Sequence, residues 1–376
     1  MTGKRLTLLL LLFWASATFA QRLPEGLYRE PPAISMEAIS PLRFPLFTPP
    51  ADTVTLFIAG DIMSHGSVIR GAEAHGYTAF FKYVEDRIQG ADIAIGNMEF
   101  PLAGPPYTGY PAFSGPEAFV DYLSDVGFDI FLTANNHVLD KGSAGLRRTI
   151  SVLDDKGFLY TGIAATPEAD TLLSPLMVQV RGLRIAILNY TYGSNYGADS
   201  PWPRVNRLRE EEMAPALERA REKADIVLVF PHWGIEYQLR HSPSQAATAR
   251  WLAAHGADAV IGTHPHVIQD WELIDGVPVI YSLGNALSNQ NDLPARLEAV
   301  LTLRIVREPE AAPRLLEPSF EYLWCTKPGM VEDTHCAVPV TLSREYWKDQ
   351  TDYDRMMDTF NALYEENPLP GSRRPH

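Results

Sequence analysis

The chain has 376 residues, of which 46% are hydrophobic and only two are cysteines. This composition excludes a disulfide-framework miniprotein, a disordered chain and a polytopic membrane protein. The formal charge of -14 argues against non-specific affinity for nucleic acid or for an anionic membrane surface. A polyanionic ligand would therefore need a local basic or metal site on an otherwise acidic protein.

Residues 1–20 have the pattern of a cleavable signal peptide. Lys4 and Arg5 precede an apolar run at 6–13, and Thr18 and Ala20 are the small residues expected before a cleavage site. We expect cleavage after Ala20 and a mature protein that is periplasmic or extracellular. An uncleaved membrane anchor is the alternative, although the apolar run is shorter than the ~18 residues that span a bilayer.

The rest of the chain divides into three parts. Residues 21–51 contain seven prolines, which disfavour regular helix and predict an extended lead-in. The folded domain is expected at 52–290. Residues 291–376 are expected to add C-terminal strands and a helical tail that pack on the same domain.

Short β-branched runs alternate with amphipathic stretches, which predicts an α/β fold. In chain order the first elements are strand 54–59, helix 78–88, strand 92–95, helix 117–126, strand 129–132 and helix 144–155. There follow a hairpin of 176–180 with 183–188, helix 207–223, strand 226–230, helix 243–255, strand 259–261 and a hairpin that turns at Asp275-Gly276. The last predicted elements are strands 301–305 and 319–323 and a helical tail from 344 to about 366.

Cys325 and Cys336 lie on either side of a Lys-Pro-Gly turn. Because export would bring the chain to an oxidising compartment, we predict a disulfide that closes this short loop. The alternative is two separate buried thiols.

Residues of the types that bind metals, or that carry a side-chain amide, follow the predicted strands in the first two thirds of the chain. The segments are Gly60-Asp61, Gly96-Asn97-Met98-Glu99, Ala134-Asn135-Asn136-His137, His232-Trp233-Gly234 and Gly262-Thr263-His264-Pro265-His266. In an open α/β sheet the carboxyl ends of the strands line one crevice, so these segments would meet in one place. Imidazole, carboxylate and amide-oxygen groups without a thiolate fit two hard or borderline divalent ions. The sequence therefore predicts a metal centre at this crevice.

The segments differ in strength as evidence. Gly60-Asp61 or Asn135-Asn136-His137 alone could be a turn or a helix cap. The segment from His264 to His266 is stronger, because two imidazoles held two residues apart by a proline can reach adjacent metals.

The same segments resemble those of the CapA capsule-synthesis family. That family is associated with poly-γ-glutamate synthesis and export and belongs to the calcineurin-like metallophosphoesterase superfamily. The resemblance also includes Asp61-Ile62-Met63 and Tyr281-Ser282-Leu283-Gly284-Asn285, and it runs from about Thr53 to Asn285. It implies an α/β, metallophosphatase-like sandwich of two mixed sheets flanked by helices, with the metal site at the carboxyl ends of the strands.

The resemblance also implies roles for individual residues. Two divalent ions, of Mn, Zn, Fe or Mg, would be held by Asp61, Glu99, Asn136, His232, His264 and His266. His137 would stabilise charge on a phosphoryl oxygen or protonate a leaving group. Substrate contacts or support of the ligands would come from Asn97, Asp140, Glu236 and Asn285. The role of Glu236 remains open: it could be a metal ligand, a general base or an ion-pair partner of Arg240.

Two departures from the superfamily pattern affect the metal pair. The first motif of the superfamily is Asp-x-His, but here Met63 stands in the third position, and a thioether is a poor ligand for a hard ion. His65 is a candidate replacement. Asn97 stands where a bridging Asp is usual, so Glu99 is the better candidate for the bridge.

Two functions remain open. The first is an exported metal-binding protein that assists synthesis or export of an anionic capsule or envelope polymer such as poly-γ-glutamate, with a membrane synthesis or export machinery as partner. The second is a metal-dependent hydrolase of a phosphoester or of an envelope polymer linkage. The departures favour the first. In both, the ligand is an anionic polymer or phosphoester rather than nucleic acid, and the loops at 105–116 and 190–203 are expected to determine its identity.

Overall fold

The computed structural model describes residues 53–197, 200–308 and 311–364. The predicted signal peptide at 1–20, the proline-rich lead-in at 21–51 and the end of the helical tail lie outside the described residues. None of the helices within those ranges combines the length and apolar character needed to cross a bilayer.

The described residues form two mixed sheets with helices on both sides. The strands are β1 (Thr53–Ile62), β2 (Ile93–Met98), β3 (Ile130–Leu132), β4 (Leu159–Thr161), β5 (Ile163–Ala164), β6 (Leu176–Val180), β7 (Leu183–Thr191), β8 (Arg204–Val205), β9 (Ile226–His232), β10 (Ala259–Ile261), β11 (Trp271–Ile274), β12 (Val277–Ile280), β13 (Asn285–Leu287), β14 (Leu297–Val306), β15 (Arg314–Leu315), β16 (Ser319–Thr326) and β17 (Cys336–Pro339). The helices are α1 (Gly66–His75), α2 (Glu85–Gln89), α3 (Glu117–Asp125), α4 (Gly142–Lys156), α5 (Pro167–Leu173), α6 (Glu210–Lys223), α7 (Pro243–Ala254) and α8 (Gln350–Tyr364).

The first sheet has the order β17-β16-β14-β1-β2-β3-β4, with β13 paired to β1 and β15 to β14. Strands β1 to β4 run parallel, whereas β14, β16 and β17 are antiparallel. The second sheet has the order β11-β12-β10-β9-β7-β6, in which β12, β10, β9 and β7 are parallel and the edge strands β11 and β6 are antiparallel. The short strands β5 and β8 pair with each other outside these two sheets. The strands after residue 290 therefore extend the same sheet that begins with β1.

Strand β9 shows how the layers are held together. Its side chains alternate between the two faces of the second sheet. Leu228 and Phe230 join the core that contains the first sheet, while Val227 and Val229 pack with apolar residues of α6 and α7. Continuation of this alternation directs His232, the last residue of β9, toward the space between the sheets. The α/β sandwich of two mixed sheets flanked by helices is thus confirmed.

Most predicted elements are present with shifted ends. Both predicted hairpins are confirmed, and Arg181 and Asp275 in their turns adopt φ values of 47° and 50°. The helix predicted at 78–88 is wrong over its first half, and only α2 is helical. Residues Phe80 and Tyr122 instead pack in an aromatic cluster, and the amide of Phe81 donates to the Tyr122 hydroxyl. The tail helix begins at Gln350, after a separate short turn at Arg344–Tyr346.

The predicted disulfide between Cys325 and Cys336 is wrong. The two cysteines lie on the adjacent strands β16 and β17, but Cys325 is opposite Ala337 and Cys336 is opposite Thr326. Neighbouring positions of a strand point to opposite faces, so the two thiols lie on different sides of the sheet. Both are free and buried.

Candidate metal centre

Loops at the carboxyl ends of five strands bring the predicted ligands together. Asp61 lies near the end of β1, Glu99 follows β2, and Asn136 lies in the loop after β3. His232 ends β9, and the loop after β10 carries the other two histidines. All six predicted ligands, Asp61, Glu99, Asn136, His232, His264 and His266, are buried.

The backbone around Asp61 explains how its carboxylate reaches the centre. The pairing of β1 with β2 is irregular between Ala59 and Asp61, and that with β13 shifts directly after Asp61. Such a bulge turns a side chain away from the regular pleat. The Asp61 carboxylate accepts hydrogen bonds from Nδ2 of Asn97 at 2.6 Å and from the amide of His264 at 3.2 Å.

Two groups of candidate ligands share Glu99. In the first group, Glu99, His232 and His264 have ligand atoms within 4.8 Å of one another, and Oε1 of Glu99 lies 3.6 Å from Nε2 of His232. In the second, Asp61, Glu99 and His266 meet the same limit, with Oε1 of Glu99 3.8 Å from Nε2 of His266. Glu99 therefore lies between two sites, the position of a bridging ligand.

Asn136 and Glu236 extend the two groups. Oδ1 of Asn136 lies 2.8 Å from Nε2 of His232, so the amide oxygen belongs with the first group. Glu236 is exposed, and one of its oxygens lies within 4.8 Å of ligand atoms of His264 and His266. The described residues contain no ion pair between Glu236 and Arg240.

The hydrogen bonds of His266 leave one ring nitrogen for a metal. Nδ2 of Asn285 donates to the carbonyls of His266 and Ala295, so its Oδ1 is an acceptor, and this oxygen lies 3.0 Å from Nδ1 of His266. In the neutral imidazole Nδ1 is therefore the protonated nitrogen, and Nε2 carries the lone pair that a metal would bind. Metal-binding histidines in proteins commonly show this arrangement.

His232 can adopt the same arrangement. Its Nδ1 lies 2.9 Å from the hydroxyl oxygen of Thr263, which can accept a hydrogen bond from Nδ1 or donate one to it. When Nδ1 carries the hydrogen, Nε2 has a free lone pair for a metal; when Nε2 carries it, Nε2 donates to Oδ1 of Asn136 at 2.8 Å. Thr263 therefore supports a ligand, a role that the sequence did not indicate.

Buried polar atoms at the centre lack protein partners. Within the described part of the chain, neither oxygen of Glu99 accepts a hydrogen bond, and Oδ1 of Asn97 and Nδ1 of His264 also have no partner. An unpaired buried polar group costs about 1–3 kcal/mol, and a charged group costs more. These atoms fit a site for cations.

The pKa values of the candidate ligands reflect their burial and their closeness to one another. Burial, together with the negative charge of Asp61, raises the pKa of Glu99 well above its ordinary range. Burial lowers the pKa of His232 well below its ordinary range and that of His264 to about 3, so both imidazoles are neutral and able to bind metal. For His266, burial acts to lower the pKa, but the contact with Asp61, the charge of Glu236 and the hydrogen bond with Asn285 together outweigh it, and the pKa is raised.

His137 lies beside the ligands and is held by Asp140. Nδ1 of His137 lies 2.8 Å from Oδ2 of Asp140, which also accepts a hydrogen bond from the amide of Phe113 at 2.7 Å. The Phe113 ring meets the imidazole edge-on, with 4.6 Å between the ring centroids. On the other side, Nε2 lies 3.5 Å from Nδ2 of Asn195, a residue that no motif indicated.

The structure thus brings all the predicted site residues into one neighbourhood and leaves two sequence alternatives outside it. His65 accepts a hydrogen bond from the amide of Asn289 through Nδ1 and belongs to none of the candidate ligand groups of the described residues. Met63 is buried, and its amide donates to the carbonyl of Leu287. Neither residue replaces the missing ligand of the first motif.

Residues 55–290 match the model of the family described as bacterial capsule synthesis protein PGA_cap. The PGA biosynthesis protein CapA of Bacillus subtilis is 31% identical over 248 residues, which cover 64% of this chain and 64% of the relative. The capsule biosynthesis protein CapA of Bacillus anthracis is 28% identical over 251 residues, which cover 64% of this chain and 61% of the relative. The chain therefore spans slightly less than two thirds of the length of these curated relatives.

A solved structure of the NAD nucleotidase of Haemophilus influenzae is similar with a TM-score of 0.42 and 11% identity, over 86% of this chain and 57% of that one. The family model covers well over half of the chain, including every predicted ligand. The chain belongs to the bacterial capsule synthesis protein family PGA_cap.

Proposed function

We propose that this protein binds two divalent ions and assists the synthesis or export of an anionic capsule or envelope polymer such as poly-γ-glutamate. Family membership supports the part that concerns the capsule. The observation that supports a metal-dependent role is Glu99, a fully buried carboxylate that accepts no hydrogen bond within the described chain and lies between two ligand groups.

The donor set supports the choice of ion. One group would combine Glu99, His232, His264 and Asn136, and the other Asp61, Glu99 and His266. Imidazole nitrogens with carboxylate and amide oxygens suit Mn²⁺, Zn²⁺, Fe²⁺ or, less well, Mg²⁺. When bound, the ions would supply positive charge that binds and polarises an anionic oxygen of the polymer.

The protein residues would position the polymer around this charge. Asn97 holds Asp61 through a 2.6 Å hydrogen bond, and its Oδ1 has no partner among the described residues. Glu236 stands at the exposed edge of the centre, where it would repel chains that approach without a neutralising cation. The local cations matter because the whole chain carries a formal charge of -14.

The location and partners follow as further parts of the proposal. The pattern of residues 1–20 supports export by a cleavable signal peptide, with the protein acting in the periplasm or outside the cell. Its partners would be the anionic polymer and the membrane machinery that makes or exports it.

The experiment is complementation of a strain that lacks this gene, with polymer yield as the readout. Wild type should restore the yield, and Glu99→Gln should not, although the variant is exported at the wild-type level. Glu298→Gln is a matched control, because Glu298 is also fully buried but belongs to none of the ligand groups formed by the described residues. Full yield with Glu99→Gln would refute the metal-dependent role.

A second candidate function is hydrolysis of a phosphoester or of a polymer linkage, and the pairing of His137 with Asp140 favours it. Asp140 accepts the Nδ1 proton and so fixes the imidazole, and the fully protonated ring could donate from Nε2 to a leaving group. Such a pair is not needed to hold a metal.

The two functions differ in what purified protein does. A hydrolase loaded with Mn²⁺ or Zn²⁺ should turn over a phosphodiester or a γ-glutamyl oligomer, and His137→Ala should lower this turnover. The accessory function expects no turnover in the wild type, with polymer yield that tolerates His137→Ala but not Glu99→Gln. Turnover together with equal loss of yield in both variants would refute the accessory function.

A further inference from the structure

Exposed large apolar side chains gather around the metal centre. Most of those in the described chain belong to the loops that follow β2, β7 and β9, and the exceptions are Leu273 and Tyr346. Five of those in the loops are tyrosines. Four of the five are here named the tyrosine rim: Tyr107, Tyr110, Tyr192 and Tyr237, which are 41–73% exposed. An exposed apolar group of this kind on a soluble protein commonly marks a binding surface.

Two members of the tyrosine rim are anchored to the centre by backbone hydrogen bonds. The amide of Tyr192 donates to the carbonyl of His232, and the amide of Tyr237 donates to the carbonyl of Pro265. The tyrosine rings lie next to the candidate ligands. The Tyr192 ring centroid is 4.7 Å from that of His264, and the Tyr237 ring centroid is 6.1 Å from that of His266. These tyrosines are therefore held at the mouth of the metal centre.

The other two rim tyrosines, Tyr107 and Tyr110, line a pocket of about 600 Å³. It is lined by α1, by the loop that carries Tyr107 and Tyr110, and by Lys141 at the start of α4. The loop is held against α1, since a Cβ on Gly109 would lie 2.2 Å from the amide nitrogen of Gly66. The volume is in the range of small-molecule and chain-segment sites.

The pocket contains unpaired positive charge. Arg70 and Lys141 line it, and neither has a carboxylate within 4 Å among the described residues. One acidic side chain, Glu73, also lines it. The pocket is thus a local basic site on a protein whose formal charge is -14.

The pocket connects to the metal centre through packed residues. Lys141 follows Asp140, which binds His137, and the ring of Phe113 contacts His137 at 4.6 Å between centroids. The ring of Phe113 also contacts His65, the residue before the first turn of α1. Phe113 and His65 therefore lie between the pocket and His137.

We propose that Arg70 and Lys141 bind carboxylates of a linear polycarboxylate chain whose continuation lies along the tyrosine rim to the metal centre. The identity of the polymer rests on the proposed function, whereas binding in the pocket does not require metal. Arg and Lys side chains provide charge-assisted hydrogen bonds to carboxylates. Tyrosine rings provide apolar faces for the methylene groups of a glutamyl chain, while their hydroxyls stay in water.

The test measures binding of a fluorescent γ-linked glutamate decamer to the purified full chain by anisotropy. The measurement is made on protein stripped of metal by a chelator and again after loading with Mn²⁺. Wild type should bind in both states, and Arg70→Ala combined with Lys141→Ala should weaken binding by about 10-fold or more in both. Added salt should reduce this difference.

The matched control is Arg314→Ala combined with Lys348→Ala. It removes the same charge from exposed positions outside the pocket. It should change the affinity by less than about 2-fold, because neither side chain lines the pocket and exposed charges are screened by salt. Equal weakening by the two pairs of substitutions, or no binding by metal-free wild type, would overturn the proposal.

Two further comparisons test the rim and the ligand class. Tyr110→Ala should weaken binding several-fold, whereas Tyr346→Ala, at an exposed tyrosine away from the rim, should not. A linear polyphosphate of equal charge should bind more weakly than the decamer, because it offers no methylene groups to the rings. Equal binding of the two polymers, or an equal effect of the two tyrosine substitutions, would contradict a polycarboxylate site.

The outcome of the decamer-binding measurement can be separated from that of the capsule experiment on the metal centre. The decamer measurement on metal-free wild type does not depend on bound ions, and none of the candidate metal ligands lines the pocket. A failure of the capsule experiment with intact decamer binding would refute the metal-dependent role alone. Loss of decamer binding on removal of metal would overturn the independent pocket.

Discussion

Nδ1 of His137 lies 2.8 Å from Oδ2 of Asp140, so an acidic partner holds an imidazole that is not one of the candidate ligands. His137 and His264 are both buried, yet their hydrogen bonds differ. Nδ1 of His264 has no partner in the described residues. The two histidines therefore have separable roles.

The first prediction compares His137→Ala with His264→Ala. His137→Ala should retain the wild-type metal content, and His264→Ala should lose metal, as measured by mass spectrometry of the bound elements after dialysis. If the protein is a hydrolase, His137→Ala should also lower turnover by about 10² to 10⁴-fold. Loss of metal from His137→Ala would show that this imidazole is a ligand.

The second prediction concerns Asn285, which orients His266 through its amide oxygen. Asn285→Ala should weaken metal binding by about 10- to 100-fold, since residues that orient a ligand have effects of this size. Competition with a fluorescent chelator measures the affinity. Asn206→Ala is the control, because it removes a buried amide that forms hydrogen bonds away from the centre. Equal effects of the two substitutions would show that Asn285 acts only through stability.

The third prediction concerns the cysteines. Burial raises the pKa of the Cys325 thiol and raises that of Cys336 to about 12, so neither thiol should react in the folded protein near neutral pH. A thiol reagent should label both cysteines only after unfolding, and the mass should not change on reduction. A decrease of two hydrogens in the unreduced exported protein would contradict the free thiols.

The cysteine pair shows what could not be predicted from spacing. Cys325 and Cys336 are close in sequence, but the register of β16 and β17 places Thr326 opposite Cys336. A shift of one position would change the face on which a side chain lies. Register depends on the packing of the whole sheet, so the short spacing alone led to the wrong prediction.

The metal centre could be predicted to a large extent because its residues are of distinctive types. Histidines and carboxylates that follow strands are uncommon enough to be recognised, and parallel strands end at one edge. Thr263 and Asn195 escaped notice because hydroxyl and amide groups are frequent in any loop. Their roles depend on the second sheet, which carries both loops toward the first.

The helix predicted at 78–88 shows why part of the fold could not be predicted from the sequence. Phe81, Val84 and Ile88 recur with helical spacing, and all three are buried. The ring of Phe81 packs on Phe128, while the amide of Phe81 bonds the hydroxyl of Tyr122 rather than a helical carbonyl. Tertiary contacts therefore replaced the first turns of the helix.

The fourth prediction is a pH dependence of stability in metal-free protein. Oε1 of Glu298 accepts a hydrogen bond from the amide of Gly60 at 2.6 Å, and burial raises the Glu298 pKa from 4.5 to about 8. The folded state therefore binds more protons than the unfolded state between these values, and stability falls as the pH rises through them. The contribution is about 2 kcal/mol between pH 6 and pH 8.

Glu298→Gln removes this titration and keeps an oxygen for the Gly60 amide. The free energy of unfolding in urea, measured at pH 6 and at pH 8, should therefore fall less in the variant than in the wild type. The same fall in both proteins would mean that Glu298 does not carry the dependence.

The account depends most on Glu99 as the carboxylate shared by two metal sites. The direct measurement is the number of Mn²⁺ or Zn²⁺ ions bound per chain, determined by elemental mass spectrometry on wild type, Glu99→Gln and Glu298→Gln. We predict close to two ions for the wild type and for Glu298→Gln, and at most one for Glu99→Gln, since the amide removes the bridging charge. Wild-type stoichiometry in Glu99→Gln, or a wild type that binds no ion, would contradict the account.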